Sequence, residues 1–437
     1  MIDLGELPHA QGRLVRPVGG VRPPRAYRTG LALLAVVLAG MLAGAAHQGP
    51  PMPPTIVAAR LGDALFVGAD RFFVVSAGPP LAGAVVQNKI ISTYGLPAGN
   101  LLSLTMVAVS GAIFDVTSAG DTILVSYQVD TVGTEATVAL TAGTDTALWR
   151  HPARLLSVSE PDGLVLLREN SPEFGPLRWY GIDLATGAVR WQLEQPARGY
   201  IVETDRVAGR PRRLVVVDVT GRLEIRDAAT AAITAAITIP VPSDWAKRGI
   251  ALWPDGDLVL VGDHAVVTAY ALPDLTERWR SRVDLYSSYV GPDCGDAVCL
   301  FSPRSAGLRV LDRATGRDRW ATDRWTYGER VGPYLLVAAD GPTEASRTLA
   351  VLDIRTGRVR GDFQPWQGIG PPQADGTVVA LRERRADDVV WYARLDPAKL
   401  TARLLGVADH VSGDCQTTPD VLICRRTDAS VGIWRLT

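Results

Sequence analysis

An acid, a hydroxyl and an aromatic ring stand close together in the string DLATGAVRW, Asp183 to Trp191. Asp183 is a possible base or metal ligand, Thr186 sets a hydroxyl beside it, and Trp191 offers a face for stacking. The string returns as DRATGRDRW, Asp312 to Trp320, and in reduced form as DIRTGRVRG, Asp353 to Gly361. Aligned on the tryptophan, the series runs Trp149, Trp191, Ala235, Trp279, Trp320, Gly361 and Leu404, at spacings of 41–44 residues. DAATAAITA (Asp227–Ala235) and DPAKLTARL (Asp396–Leu404) keep the acid without the tryptophan. TAGTDTALW and ALPDLTERW keep the tryptophan without the acid. A set that acts together on a substrate would not lose its members independently, so the motif reads as architecture.

The residue types fit that role. An Asp carboxylate closing a strand accepts bonds from backbone N–H groups just beyond it, and Thr adds a hydroxyl. Gly supplies the positive φ that turns the chain, and Trp brings a large surface with one N–H to satisfy. The docking motif is therefore assigned to Asp183, Thr186, Gly187 and Trp191, to Asp312, Thr315, Gly316 and Trp320, to Asp353, Thr356 and Gly357, and to Trp149 and Trp279. Each Trp belongs at a boundary between neighbouring units.

The elements that hold the motif are strands. From residue 55 onward short apolar, β-branched runs (TILVSYQV, RRLVVVDV, DLVLVG, YLLVAA) alternate with Gly, Asp and Pro turns, and helical periodicity is lacking. Several strands per unit on a beat of 40–50 residues predict an all-β propeller of four-stranded antiparallel blades. Seven units plus a shared closing one give eight blades, with seven as the alternative. The final SVGIWRLT aligns with WYGIDLATG and stops after a third strand. A strand from about residues 55–94 is expected to complete that blade and cover its edge.

The strings YGIDLATGAVRWQLE and RVLDRATGRDRWATD resemble the repeats of pyrroloquinoline-quinone-type β-propellers, over about residues 60–437. The resemblance implies the fold. It also implies a test for quinone-dependent dehydrogenation, since enzymes of that family use a carboxylate base beside calcium and often a disulfide between adjacent cysteines. This chain has no Cys-Cys pair, and no calcium ligand set or catalytic Asp maps onto it. P-loop, G-x-S-x-G, H-E-x-x-H, C-x-x-C and dinucleotide signatures are absent. The close pairs Glu160 with Asp162 and Asp387 with Asp388 are the candidates for glycan cleavage, but Asp-Gly strings such as PDGL and PDGD read as hairpin turns. Trp245, Trp253, Trp325, Trp366 and Trp391 lie off the docking position and are read as packing between blades or lining a ligand face.

Cys294 and Cys299 correspond in place to Cys415 and Cys424, about three blades later. Pairing across tight hairpins gives Cys294–Cys299 and Cys415–Cys424. Such short loops limit each bridge to about 2–3 kcal/mol. The spacing, without neighbouring His, argues against a metal site, and the five histidines form no ligand pattern.

The N-terminus differs from the rest. Residues 1–28 are arginine-rich and Pro/Gly-interrupted and read as a disordered cytoplasmic tail opening with MIDLGEL. TGLALLAVVLAGMLAGAA, Thr29 to Ala46, carries no charge and would span roughly 27 Å as a helix. With arginines only ahead of it, it reads as a signal anchor, N-terminus cytoplasmic. Cleavage near Ala45, releasing a secreted propeller, is the alternative. Residues 47–54 read as a Pro-rich stalk and 55–437 as the propeller. A net charge of −1 gives no reason to expect nucleic acid. No cofactor and no metal are assigned. The expected function is a non-catalytic, extracytoplasmic scaffold for a protein or cell-envelope partner, with an exported enzyme as the alternative.

Overall fold

The computed structural model describes residues 53–436, apart from 80–85, 131–132, 170–176, 205–211, 243–244, 246–249, 273, 292, 303–306, 339–348, 369 and 385–387. The tail, the proposed anchor and most of the stalk lie outside the described residues. Among the described residues no helix is long and apolar enough to cross a membrane.

The described strands form nine four-stranded antiparallel sheets. Eight are consecutive along the chain: 64–109, 113–151, 154–194, 200–238, 251–281, 289–322, 327–362 and 367–409, here blades 1 to 8. Blade 9 takes its three inner strands from 411–435 and its outer strand, Thr55–Val57, from the beginning of the described chain. Thr55 pairs with Ile433 and Val57 with Val431. The expected closing strand is thus present.

Nine blades replace the expected eight. The missed unit is blade 1, hidden because its hairpin keeps the turn geometry and loses every marker residue. Gly95 stands in place of Asp, and its carbonyl accepts from the Gly99 N–H at 2.7 Å, as the Asp183 carbonyl accepts from Gly187 at 2.8 Å. Gly99 has φ +72°, and Ser103 takes the tryptophan's place. The beat runs through it unmarked.

The packing follows from strand alternation. In the second strand of blade 3, Leu164 and Leu166 enter the apolar cluster shared with blade 4, while Val165 and Leu167 enter the one shared with blade 2. A run such as LVLL therefore supplies two seams at once. Nine apolar clusters result among the described residues, each made by two adjacent blades. The cluster closing the ring joins Val57, Val421, Ile423, Val431 and Ile433 of blade 9 to Phe72 and Val74 of blade 1. Both disulfides are formed: Cys294–Cys299 in the seam of blades 6 and 7, Cys415–Cys424 in that of blades 8 and 9.

Ring closure rests on Val57, which is buried, while its neighbour Ile56 is 46% exposed. Val57→Asp sets a carboxylate into the closing seam and is expected to lower stability by more than about 3 kcal/mol. Ile56→Asp should stay within about 0.5 kcal/mol. Urea denaturation followed by tryptophan fluorescence compares the two.

Candidate functional site

The recurrent turn is built from its acid outward. Asp183 Oδ1 accepts from the backbone N–H groups of Ala185 at 3.1 Å and Thr186 at 3.0 Å, and from the Thr186 hydroxyl at 2.9 Å. Arg190 donates to Asp183 Oδ2 at 2.7 Å and to the carbonyls of Asp162 and Gly163. That guanidinium, then the Thr186 amide and hydroxyl, hold the Asp183 carboxyl down at about 2. Asp312 with Thr315 and Arg319, and Asp353 with Thr356, repeat the arrangement. In all three the Oδ1 accepts from the Thr amide and hydroxyl of its own turn, and in the first two an arginine takes Oδ2, so these carboxylates serve the turn.

The tryptophans do not act with the turn of their own string. The Trp149 indole N–H donates to the Leu184 carbonyl of the next blade at 2.8 Å. Trp279 reaches Arg313 at 2.7 Å and Trp320 reaches Ile354 at 2.8 Å. Trp191 donates to both Ala228 and Ala229, at 3.2 and 3.1 Å. The rings of Trp149, Trp279 and Trp320 lie against the turn's glycine, whereas Trp191 shares its cluster with Ala231, at φ +56°, in the glycine's place. A Cβ added to Gly187 would sit 2.5 Å from the Trp149 ring, and one on Gly316 2.3 Å from that of Trp279. Glycine at this place meets two demands: a φ near +70° and space for the indole.

In two seams where the tryptophan is lost, the glycine is lost as well. Gly361 replaces Trp in blade 7, and Leu400, at φ +56°, replaces Gly in the turn of blade 8. A Cβ on Gly361 would lie 3.0 Å from Leu400 Cδ1. Ala235 of blade 4 likewise packs in the cluster of the buried Leu275 of blade 5, φ +59°. The knob has changed sides and the seam stays filled.

The remaining sequence candidates also resolve into structure. Trp245 and Trp325 are buried in seams, Trp253 and Trp366 pack against seams, and Arg382 lies over the Trp391 ring at 5.1 Å. Glu160 and Asp162 flank a hairpin turn, where the Glu160 carbonyl accepts from the Gly163 N–H at 3.0 Å and the Ser159 hydroxyl donates to Asp162. Asp388 is exposed, and Asp387 lies outside the described residues. Among the described residues no group of His, Cys, Asp and Glu is disposed to hold a metal ion.

Two features were not read from the sequence. The first is a charged cluster at the seam of blades 5 and 6. Asp255 ends an inner strand with its side chain 3% exposed, paired with Arg313 at 2.9 Å. Arg313 also pairs with the exposed Asp257 at 2.8 Å. Burial outweighs the guanidinium and pushes the Asp255 carboxyl up to about 6. The signal was available: Arg313 occupies the position of Leu184, Ala228 and Ile354, apolar in the other copies. The second is a set of hollows of about 420, 540, 170 and 290 Å³ between blades. All four open on the face that carries the blade-to-blade connections and the loops between second and third strands, opposite the Asp-Thr-Gly turns. The largest, at blades 5 and 6, is lined by Asp284, Ser288, Ser302, Arg309 and Thr322 among others. At its border His264 contacts Asp284 at 3.3 Å and the Tyr286 ring at 4.5 Å between centroids.

The fold and these seams define a nine-bladed β-propeller. No protein-family model matches the chain, and no curated protein sequence matches it. Among solved structures it is similar to BamB from Moraxella catarrhalis at 16% identity, over 87% of this chain and 99% of that one, TM-score 0.42. It is similar to the C-terminal WD40 domain of Sif2 at 11% identity, over 89% and 99%, TM-score 0.42. For a eukaryotic initiation factor the values are 14%, 79%, 91% and 0.49. Likenesses at this level establish neither a family nor an activity.

Two predictions follow from the seams. Trp149→Gly should destabilise by about 3–5 kcal/mol, and Gly187→Leu should also destabilise. The double variant reproduces the arrangement of blades 7 and 8 and should recover about 1–3 kcal/mol relative to additivity, measured by denaturant titration of the four proteins. For the charged cluster, Asp255 ionises near 6 when folded and near its ordinary 3.8 when unfolded. Its contribution to stability is fully present below about pH 4 and falls by up to about 3 kcal/mol as pH rises to about 6. Asp255→Asn lacks this titration. Its stability relative to the parent chain should therefore rise across pH 4–6 and level off above, measured by urea midpoints at each pH.

Proposed function

We propose that the chain is a membrane-anchored, extracytoplasmic β-propeller of the pyrroloquinoline-quinone-type repeat, non-catalytic, that presents its loop-bearing face to a protein or cell-envelope partner. One observation carries this reading. Among the described residues the recurrent set of acid, hydroxyl and aromatic groups is engaged in its own turns and in joining blades, which speaks against chemistry built on the repeat. The hollows on a single face supply partly apolar, partly polar recesses on a rigid ring, a form suited to gripping a partner's side chains. Two disulfides suit an oxidising compartment. The arginine-flanked apolar stretch at residues 29–46 supplies the route there.

Affinity capture of the full-length chain from its membranes is expected to recover a specific partner. Arg309→Glu with Tyr286→Ala, both on the loop face, should weaken recovery at least about tenfold. External protease should reach the propeller in intact cells, and detergent should be needed to extract the chain. Dye reduction dependent on added quinone and calcium, with no specific partner recovered, would overturn the scaffold in favour of an exported dehydrogenase.

A further inference from the structure

Blade 1 departs from the repeat at its rim as well as in its turn. Its outer strand, Asn100–Val109, contains no charged residue and no proline. Leu101, Leu102, Leu104 and Met106 are 51%, 52%, 55% and 37% exposed. Six other blades place a charged side chain at an exposed position of the outer strand, such as Arg150, Glu194, Arg278, Asp318, Arg360 and Arg403. The outer strand of blade 4 is also uncharged but exposes a single large apolar side chain, Ile233, among threonine and alanine, and that of blade 9 has only three residues. Charges on an edge strand keep it from other surfaces. Blade 1 lacks that protection.

The geometry explains the exposure. Val107 and Val109 pack in the seam with blade 2, and the Thr105 hydroxyl accepts from the Gly143 N–H of that blade at 2.9 Å. Alternation sends Leu104 and Met106 the other way, toward blade 9, and Leu101, opposite Tyr94 across the bulge at Leu102, shares that side. There the outer strand is the short Thr55–Val57; the equivalent positions are exposed beside longer strands too, as Gln192, Arg280 and Asp362, so what sets blade 1 apart is that it places leucine and methionine on them. The same short strand fixes where the preceding chain arrives. Thr55 lies beside the blade 1 turn, its Cγ2 2.8 Å from where a Gly99 Cβ would stand, next to the start of the uncharged strand. From Thr55 back to Ala46 the chain, whatever its conformation, spans at most roughly 32 Å.

We propose that the outer strand of blade 1, through Leu101, Leu102, Leu104 and Met106, rests in the headgroup layer of the bilayer that residues 29–46 enter. The inference rests on the anchored reading above. An uncharged apolar row gains by leaving water, and nothing on it must be stripped of charge to do so. Its unpaired backbone groups hold it at headgroup depth, where water still reaches them, and out of the hydrocarbon. The short tether keeps the patch close to that surface.

All four cysteines are paired, so Leu104→Cys adds a single thiol for an environment-sensitive fluorophore. Arg278→Cys, on the outer strand of blade 5, is the comparison. The full-length chain is reconstituted into phosphatidylcholine–phosphatidylglycerol vesicles carrying nitroxide-labelled lipid. The label at position 104 should emit further to the blue and be quenched several-fold more than that at 278. Met106→Cys serves if the first variant fails to fold. Equal quenching at both positions, in protein that floats with the vesicles, overturns the proposal and leaves the anchor standing. A label at 104 that is shielded from water, escapes the nitroxide and cross-links to a second copy assigns the strand to self-association, which also overturns it. Failure to float with vesicles removes the anchor and this inference together.

Discussion

Each blade of this ring is a sheet apolar on both faces, and such a sheet has no side to give to water. A blade is stable only between two others, which obliges the chain to close on itself. The obligation sets the unusual economy of the ends: three strands of blade 9 lie at the C-terminal end of the chain and one at the start of the described region. Val57, in that borrowed strand, meets Phe72 and Val74 across the last seam. Two disulfides staple the inner edges of blades 6 and 9, a local reinforcement beside the nine apolar seams.

The seams also explain how the repeat decays without the ring failing. A tryptophan and a glycine occupy one volume from opposite sides. Gly361 with Leu400, and Ala235 with Leu275, show the same volume filled from the other side. Close-packed interiors penalise voids and overlaps alike, so the two positions exchange size together although they belong to different blades. Seen within one string, the losses of Trp and Gly look like independent erosion. Seen across these two seams, they are one substitution, while Trp191 beside Ala231 and Ser103 beside Gly143 keep one partner unchanged.

Much of the fold was legible for this reason: the beat, the closing strand, the disulfide pairs and the docking role all follow from residue type and spacing. What escaped was blade 1, whose turn runs through Gly95 and Gly99 with Ser103 in the indole's place. Backbone geometry held the unit there while the side chains that announce it were gone. Asp255 escaped for another cause. Its Asp-Gly context signals a hairpin turn, and Gly256 indeed has a positive φ. Only the ring shows that Arg313, from the following blade, reaches over that turn and that the carboxylate is buried. A contact formed between blades some 58 residues apart leaves no mark on either local string, except that Arg313 stands where the repeat wants an apolar side chain.

That exception points to where function should be sought in a repeat protein. Residues that obey the repeat are spent on seams, and what distinguishes this ring lies in its departures. They fall in three places: the Asp255–Arg313 cluster, the loop face with its hollows, and the rim of blade 1. The last two share a freedom. Loops between second and third strands meet no neighbouring seam, so they are free to differ from blade to blade. The outward positions of the outer strands are exposed in other blades as well, so the rim is equally free in residue type. Closing the ring with a borrowed strand thus does more than cover an edge. It brings the preceding chain to the rim of blade 1, beside the Gly99 turn. There the sequence has placed leucines and methionine where six other blades keep charge.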